Sequence, residues 1–159
     1  MASTRTLAVQ QSRVIPVSPD DAFAGTLPIP LTTIFSRWYG PIPPVAEVRE
    51  QHGEWGTPGQ TRVVAFKGAG AMREKLTSVD PPKSFGYAIT GITGPLGLLV
   101  GSAEGEWTFT PSGDATTVTW HWNIHAASAI TAPLLPLVGA LWKGYAQQSL
   151  AALGAALAR

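Results

Sequence analysis

The sequence predicts an α+β domain in which one curved antiparallel sheet is covered by a long C-terminal helix. Three observations predict it: strand-like segments with a period of two follow position 45, turns rich in glycine and proline separate them, and residues 133–159 have the apolar spacing of one amphipathic helix. A single helix with a wide apolar stripe must bury that stripe, and the sheet is the only large surface available. Such an arrangement often leaves a hollow between the sheet and the helix.

The N-terminal part of the chain predicts a short strand followed by two short helices. Residues 13–17 are biased towards apolar side chains, as in a strand. Ser18 can cap a helix and Pro19 suits its first position, so a helix is expected to begin there. A second helix is expected over residues 31–39, with Gly40 as its C-terminal stop.

Six further strands are expected to follow in hairpin succession, which makes a sheet of about seven strands. The predicted strands span residues 45–52, 61–67, 71–79, 84–91, 102–110 and 116–125. The last of these alternates most clearly, with Trp120 and Trp122 on one face and His121 and His125 on the other. Sequential strands joined by short turns indicate an antiparallel meander.

Length and composition favour one domain over residues 1–159, with residues 1–8 as a flexible N-terminus. The net charge is +1 and no basic residues cluster, which argues against nucleic acid as a partner. Residues 126–142 are apolar but short and broken by prolines, so no stable membrane insertion is expected. The absence of cysteine and of an N-terminal apolar segment fits a cytoplasmic protein.

Three local patterns resemble the SRPBCC or START-like superfamily, in particular its polyketide cyclase/dehydrase-like branch. They are VIPVSPDDAF at residues 14–23, LTSVDPPKSFGY at residues 76–87, and the hairpin WTFTP…TTVTW within residues 107–120. The resemblance implies a helix-grip fold with a cavity for lipids, polyketides or other apolar molecules between the sheet and the long helix. Some members are aromatases or cyclases and others only carry or sense a ligand. The superfamily has no universal catalytic motif, so it assigns no catalytic residue here.

Large side chains on the inward face of the sheet and on the helix are the candidate ligand-binding residues. The candidates on the sheet are Glu74, Tyr87, Ile89, Trp107, Trp120 and Trp122. The candidates on the helix are Leu134, Leu137, Val138, Leu141, Trp142, Tyr145 and Gln148, and Trp38 is added from a loop corner. Aromatic rings that face a single helix either fill the space as a core or line a pocket, and the sequence leaves both interpretations open.

Glu74 is the one candidate for a catalytic group, because the strand period places its carboxylate on the inward face between Met72 and Leu76. A buried carboxylate is costly unless it is paired or protonated. It acts as a general acid or base with a raised pKa, or it pairs with Arg49 or Arg62, or the strand register is shifted by one residue.

No metal site and no cofactor are expected. His121 and His125 share a strand face but are separated by roughly 13 Å along the strand, which is too far for one metal ion. The glycine clusters lack the lysine of a phosphate-binding loop, and no serine has the sequence context of a nucleophile elbow.

The sequence supports three functions. The first is binding of a hydrophobic small molecule, to carry or to sense it. The second is an aromatase or cyclase acting on a polyketide, with Glu74 or Tyr145 as polar groups. The third is an interaction protein with a filled core, which forms a homodimer or another contact through the apolar loop at residues 91–101. The same loop, together with the corner at residues 38–41, is alternatively a lid over the cavity.

Overall fold

Residues 5–158 are the part of the chain that the computed structural model describes, and they form one seven-stranded antiparallel sheet with a long C-terminal helix. The strands are β1 (Thr6–Ile15), β2 (Val45–Arg49), β3 (Thr61–Phe66), β4 (Ala71–Asp80), β5 (Ser84–Thr90), β6 (Val100–Ser112) and β7 (Ala115–Ala126). The helices are α1 (Pro19–Thr26), α2 (Leu31–Ile34), α3 (Pro95–Leu99) and α4 (Leu135–Leu157), and a 3₁₀ turn at Ala132–Leu134 precedes α4. The predicted α+β helix-grip fold is confirmed.

The sheet has the order β1-β7-β6-β5-β4-β3-β2, so β2 to β7 form the predicted meander and β1 closes its far edge against β7. This pairing corrects the expected start of the first strand, because β1 begins at Thr6 opposite His125 and not at residue 13. Residues 10–12 are polar and show no strand period, so only the partner strand defines them as part of β1. Residues 6–8, expected within a flexible N-terminus, belong to this strand, and residues 1–4 lie outside the described residues.

The first helix begins as predicted and the second is shorter than predicted. The backbone N–H of Asp21 donates to Ser18 Oγ at 3.2 Å, which caps α1. The second helix ends at Ile34, and Tyr39 instead forms an isolated bridge with Ile42. The segment after α2 leaves the helical path because it lies on α4, where Gln148 Nε2 donates to the carbonyl of Arg37 at 3.1 Å.

The loop at residues 91–101 contains a helix that the sequence pattern did not predict. Helix α3 follows Gly94, which has a φ of +80°, a backbone conformation that glycine adopts without strain. Leu96 and Leu99 pack on the core while Leu98 is 73% exposed. The amide of Ala127 donates to the carbonyl of Leu99 at 3.0 Å, so α3 is anchored to the segment that leads into α4.

Helix α4 packs on β1 and β7, with a rotation about its axis that differs from the predicted one. Its buried residues are Leu135, Gly139, Trp142, Tyr145, Ala146, Ser149, Leu150 and Leu153. Leu134 and Leu137, predicted to face the sheet, are 44% and 61% exposed. Gly139 suits this rotation, because it faces β1, where a Cβ would lie 2.6 Å from Leu7 Cδ2. The helix is apolar over most of its circumference, so hydrophobic spacing alone did not distinguish the two orientations.

No helix within residues 5–158 is both long enough and apolar enough to cross a membrane.

The orientation of α4 is tested by two leucine truncations on the same helix. We expect Leu150→Ala to lower the free energy of unfolding by about 2–5 kcal/mol, because Leu150 is 1% exposed and its truncation leaves a cavity. Leu137→Ala is the matched control, with an expected change below about 0.5 kcal/mol for an exposed side chain. Urea unfolding followed by circular dichroism measures both, and equal losses would contradict the observed orientation.

Candidate ligand-binding cavity

A cavity lies between the concave face of the sheet, helix α4 and the α1–α2 segment. Its volume is about 110 Å³. This is below the range for drug-sized ligands, which begins at about 300 Å³, and close to the roughly 150 Å³ of an apolar cavity that binds benzene.

Most of the candidate residues on the sheet and three on the helix line this cavity. Those in its wall are Glu74, Tyr87, Ile89, Trp107, Trp120, Trp122, Val138, Trp142 and Tyr145. The period-two alternation on β4, β5, β6 and β7 positioned the sheet residues correctly, since all of them are buried on the concave face.

The other candidates lie outside the cavity wall, which corrects the sequence prediction. They are Trp38, Leu134, Leu137, Leu141 and Gln148. Trp38 is 52% exposed. Leu134 lies in the 3₁₀ turn before α4, and Leu137 and Leu141 fall on the flank of α4 because the helix is rotated about its axis. Gln148 does not face the interior, because its amide donates to the backbone carbonyls of Arg37 and Trp38.

The sequence analysis missed one side of the cavity, contributed by α1, α2 and the segment that follows them. The missed residues include Thr26, Leu27, Ile29, Leu31, Ile34, Phe35 and Ile42. The sequence feature that could have identified them is the mostly apolar segment between Leu27 and Phe35, which prolines interrupt at positions 28 and 30. A run of this length between a sheet and its covering helix has no other surface on which to bury its side chains.

Helix α4 touches the tryptophans on one side of the cavity and stands away from the sheet on the other. The ring centroid of Trp142 lies 4.7 Å from that of Trp120 and 6.0 Å from that of Trp122. Phe35 extends this aromatic wall, with its centroid 5.2 Å from Trp120 and 5.7 Å from Tyr145. The space remains towards β3 and β4, where Val64 and Met72 line it. Core packing and a cavity therefore coexist in this domain.

Tyr87 crosses the sheet to bind two tryptophans. Its ring lies flat over Gly105 on the next strand, where an added Cβ would be 2.2 Å from Tyr87 Cζ. Its hydroxyl oxygen accepts hydrogen bonds from Trp120 Nε1 at 2.6 Å and from Trp122 Nε1 at 2.7 Å. Burial raises the pKa of Tyr87, and the nearby charge of Glu74 raises this pKa further, so the phenol is neutral. Both lone pairs are used, and no described residue accepts the hydroxyl hydrogen.

Glu74 is buried in the cavity wall as predicted and forms an ion pair with Arg62. Arg62 Nε donates to Glu74 Oε1 at 2.9 Å, and the two residues face each other in the β3–β4 register. The Arg62 guanidinium lies 3.9 Å above the ring of Trp55. Burial raises the pKa of Glu74 and the adjacent guanidinium opposes that rise. Among the three interpretations of the sequence, pairing with Arg62 is confirmed, while Arg49 pairs with exposed Glu47.

The remaining polar groups of the wall divide into partnered and unpartnered ones. Tyr145 donates its hydroxyl hydrogen to the carbonyl of Pro43 at 3.1 Å, and burial raises its pKa. Ser149 lies on α4 outside this wall, and its hydroxyl donates to the carbonyl of Tyr145 at 2.8 Å within the same helix. Trp142 Nε1 and Thr26 Oγ1 are buried and have no hydrogen-bond partner among the described residues. Such groups are rare in folded proteins and carry a free-energy cost.

The histidines of β7 lie on the outer face of the sheet, opposite the tryptophans, as predicted. Both ring nitrogens of His125 are engaged, Nε2 with Glu104 Oε1 at 2.7 Å and Nδ1 with Thr6 Oγ1 at 3.0 Å. Within residues 5–158, no group of three or more histidine or acidic side chains is placed to hold a metal ion.

Comparison with known proteins adds a family match and a set of similar folds. The model of the family described as polyketide cyclase / dehydrase and lipid transport matches residues 6–158. No curated protein sequence matches the chain. Truncated norcoclaurine synthase from Thalictrum flavum has a similar structure, with a TM-score of 0.68 and 19% identity over 97% of this chain and 94% of that one.

Two further solved structures are similar at low sequence identity. Major latex-like protein 151 of Panax ginseng gives a TM-score of 0.69 at 13% identity, over 94% of this chain and 96% of that one. A protein from Thermus thermophilus gives a TM-score of 0.69 at 16% identity, over 96% of this chain and 97% of that one. At these identities the likeness establishes the fold alone.

The position of Tyr87 on Gly105 predicts a large cost for a single added methyl group. We expect Gly105→Ala to lower the free energy of unfolding by about 2–5 kcal/mol, because the displaced phenol would leave two indole N–H groups unpaired. Urea unfolding measures this loss. Gly144→Ala is the control: its Cβ would also meet a tyrosine ring, but Tyr39 is 37% exposed and can move. Alanine also favours a helix by about 1 kcal/mol, so the control should change stability little. Equal losses in both variants would contradict the role of Gly105.

The raised pKa of Glu74 predicts a pH-dependent difference between the wild type and Glu74→Gln. The folded state holds the carboxyl proton more tightly than the unfolded state, whose pKa is near 4.5. The wild type should therefore be most stable relative to the variant below pH 4.5, and should lose this advantage as the pH rises through the folded pKa. The slope within that window is at most about 1.4 kcal/mol per pH unit. Urea unfolding of both proteins across this range measures it, and a relative gain with rising pH would contradict the prediction.

Proposed function

The chain belongs to the polyketide cyclase / dehydrase and lipid transport family, and on this premise we propose that it binds a hydrophobic small molecule in the cavity between the sheet and α4. The observation that carries the proposal is the cavity itself, whose wall is apolar except for a few fixed polar groups. Apolar walls with a small number of oriented polar groups are typical of small-molecule sites.

The size of the cavity favours a compact ligand over a long acyl chain. A partly open cavity of about 110 Å³ suits a molecule of one ring, or of two rings when the second lies in the opening. A structure of norcoclaurine synthase in complex with dopamine and hydroxybenzaldehyde, similar to this chain with a TM-score of 0.66 at 18% identity, holds two such small aromatic molecules. This supports a ligand of the same size class here.

Burial of apolar surface would supply most of the affinity. A two-ring ligand that loses about 200 Å² of apolar surface gains roughly 5 kcal/mol at 25 cal/mol per Å². The cost of immobilising the ligand reduces this gain. The aromatic wall is held in place by contacts within the protein, such as the stacked pair of Trp107 and Trp120 at 5.2 Å, so little reorganisation is needed on binding.

A second candidate function, a cyclase-type enzyme, is supported by Glu74. A carboxyl group with a raised pKa in an apolar cavity is suited to general acid or base catalysis. If this function holds, Glu74→Gln should lower turnover of a polyketide substrate at least about 100-fold while leaving its binding intact. Unchanged turnover in product analysis by mass spectrometry would remove Glu74 from the mechanism.

The binding function is tested with N-phenyl-1-naphthylamine, a neutral aromatic probe whose fluorescence rises in apolar surroundings. We expect saturable binding with one probe molecule per chain. Val138→Trp should weaken binding at least tenfold, because Val138 lines the cavity and the larger side chain fills it. Fluorescence titration of the full chain measures both affinities.

The control is Leu137→Trp, which adds the same ring one residue away on the exposed flank of α4. This variant should bind the probe within about twofold of the wild type. Equal weakening in both variants, or the absence of saturable binding in the wild type, would contradict the proposed site.

A further inference from the structure

We propose that the protein docks reversibly on the surface of an anionic lipid bilayer, without crossing it, through a rim of loops around one opening of the cavity. The rim comprises residues 37–44, 66–71, 92–99 and 127–141, which come from four separate parts of the chain. This goes beyond the binding of a ligand, because it assigns an outer surface of the protein and the partner of that surface.

The four segments of the rim are joined to one another in a ring. Three junctions are backbone hydrogen bonds of 3.0, 2.9 and 3.0 Å, from the amides of Lys67, Thr93 and Ala127 to the carbonyls of Pro44, Ala71 and Leu99, respectively. The fourth junction is a close approach, since a Cβ at Gly40 would lie 3.8 Å from Leu141 Cδ2 on α4. The rim is therefore one continuous surface.

The ring encloses an opening of the cavity. Each segment contributes one half-buried residue to the cavity wall, and these are Ile42, Phe66, Leu96 and Val138. A wall residue that also contacts solvent lies where the cavity meets the outside. Four such residues on four joined segments define an entrance that the rim surrounds.

The rim carries most of the exposed apolar surface of the protein. Seven large hydrophobic side chains are exposed within residues 5–158, and six of them lie on the rim: Trp38, Tyr39, Leu98, Ile130, Leu134 and Leu137. The seventh, Val14, lies on β1. Single exposed apolar residues are ordinary, but their concentration around one opening indicates a surface with a partner.

The charge of the rim favours an anionic bilayer as this partner. Arg37 and Lys67 are its only charged residues, and both are exposed, while all ten acidic residues of the chain lie outside the rim. Cations beside exposed tryptophan and leucine are typical of proteins that lie on anionic lipid. The cations attract the headgroups, and the apolar side chains enter the boundary of the acyl chains.

A second copy of the chain fits the same surface less well. In a two-fold dimer each subunit uses the same patch, so the rim would face another rim. Arg37 and Lys67 of both copies would then approach each other with no acidic rim residue to offset them.

Docking of the rim would place the entrance of the cavity at the bilayer. Hydrophobic small molecules concentrate in bilayers, because their apolar surface is removed from water there. A ligand could then pass between the bilayer and the cavity without crossing the aqueous phase.

The test is co-sedimentation of the full chain with lipid vesicles. Vesicles of phosphatidylglycerol and phosphatidylcholine in equal parts should bind the protein. Vesicles of phosphatidylcholine alone should bind it at least about fivefold more weakly, because the two cations lose their attraction to anionic headgroups. Absence of binding to the mixed vesicles, or equal binding to both kinds, overturns the inference.

Two rim variants and one matched control locate the contact. Leu98→Asp and Leu137→Asp should each weaken binding to the mixed vesicles at least about fivefold, because an apolar anchor is replaced by an anion. Val14→Asp makes a similar change at a side chain that is 58% exposed but lies outside the rim, and it should bind within about twofold of the wild type. Equal weakening in the control contradicts the assignment of this surface.

Two further measurements separate this inference from its alternatives. Leu98→Asp should still bind N-phenyl-1-naphthylamine like the wild type, because Leu98 is outside the cavity wall. Binding of this probe to the wild type without binding of vesicles overturns the inference and leaves the proposed function standing. In sedimentation equilibrium without vesicles the mass should not depend on concentration. A rise in mass that Leu98→Asp abolishes would assign the rim to a dimer and overturn the inference.

A fluorescence measurement tests the contact without a charged substitution. Trp38 is exposed on the rim, so its emission should shift to shorter wavelength when the mixed vesicles are added. The shift should be absent in Trp38→Phe. An equal shift in both proteins would show that Trp38 does not enter the bilayer, which contradicts docking through the rim.

Discussion

The concave face of the sheet carries more aromatic surface than one helix can cover, and the rest of the structure follows from this constraint. Helix α4 packs on the β1–β7 side, where Gly139 allows close approach to β1. Helix α1 packs on β6 and β7, helix α2 packs on β2, and α3 closes the end beside Val100. These short elements reach across the sheet without filling the space beneath them, and the cavity is what remains.

Most of the polar groups in this apolar interior are paired within the protein. The Tyr87 hydroxyl accepts hydrogen bonds from two indole N–H groups. Arg62 forms an ion pair with Glu74, and its guanidinium packs on the ring of Trp55. The first arrangement joins β5 to β7 across β6 and the second joins β3 to β4, so both depend on the register of the sheet as well as on the side chains. Trp142 Nε1 and Thr26 Oγ1 are exceptions, since neither has a hydrogen-bond partner among the described residues.

The order of elements and the inward face of most strands could be predicted from the sequence, and several details of packing could not. Alternation in β7 placed Trp120 and Trp122 correctly. A strand has only two faces, and one face of β7 carries only apolar side chains, so that face had to point to the interior. Helix α4 is apolar over most of its circumference, so spacing could not decide between Leu137 and Leu150 as the buried residue. That choice depends on how closely Gly139 approaches β1, which is a property of the folded pair.

The packing of the Tyr87 ring on Gly105 also limits which substitutions the cavity wall can accept during evolution. A side chain at position 105 and an aromatic ring at position 87 exclude each other, so a single substitution at either site passes through an unfavourable intermediate. Positions 87 and 105 should therefore change together among relatives with this wall. Val64 and Met72 face each other across β3 and β4 and border the cavity, and a change of either apolar side chain alters the cavity without removing a hydrogen bond. We therefore expect changes of ligand preference to arise first through substitutions on β3 and β4, while the side of the cavity formed by the tryptophans stays the same.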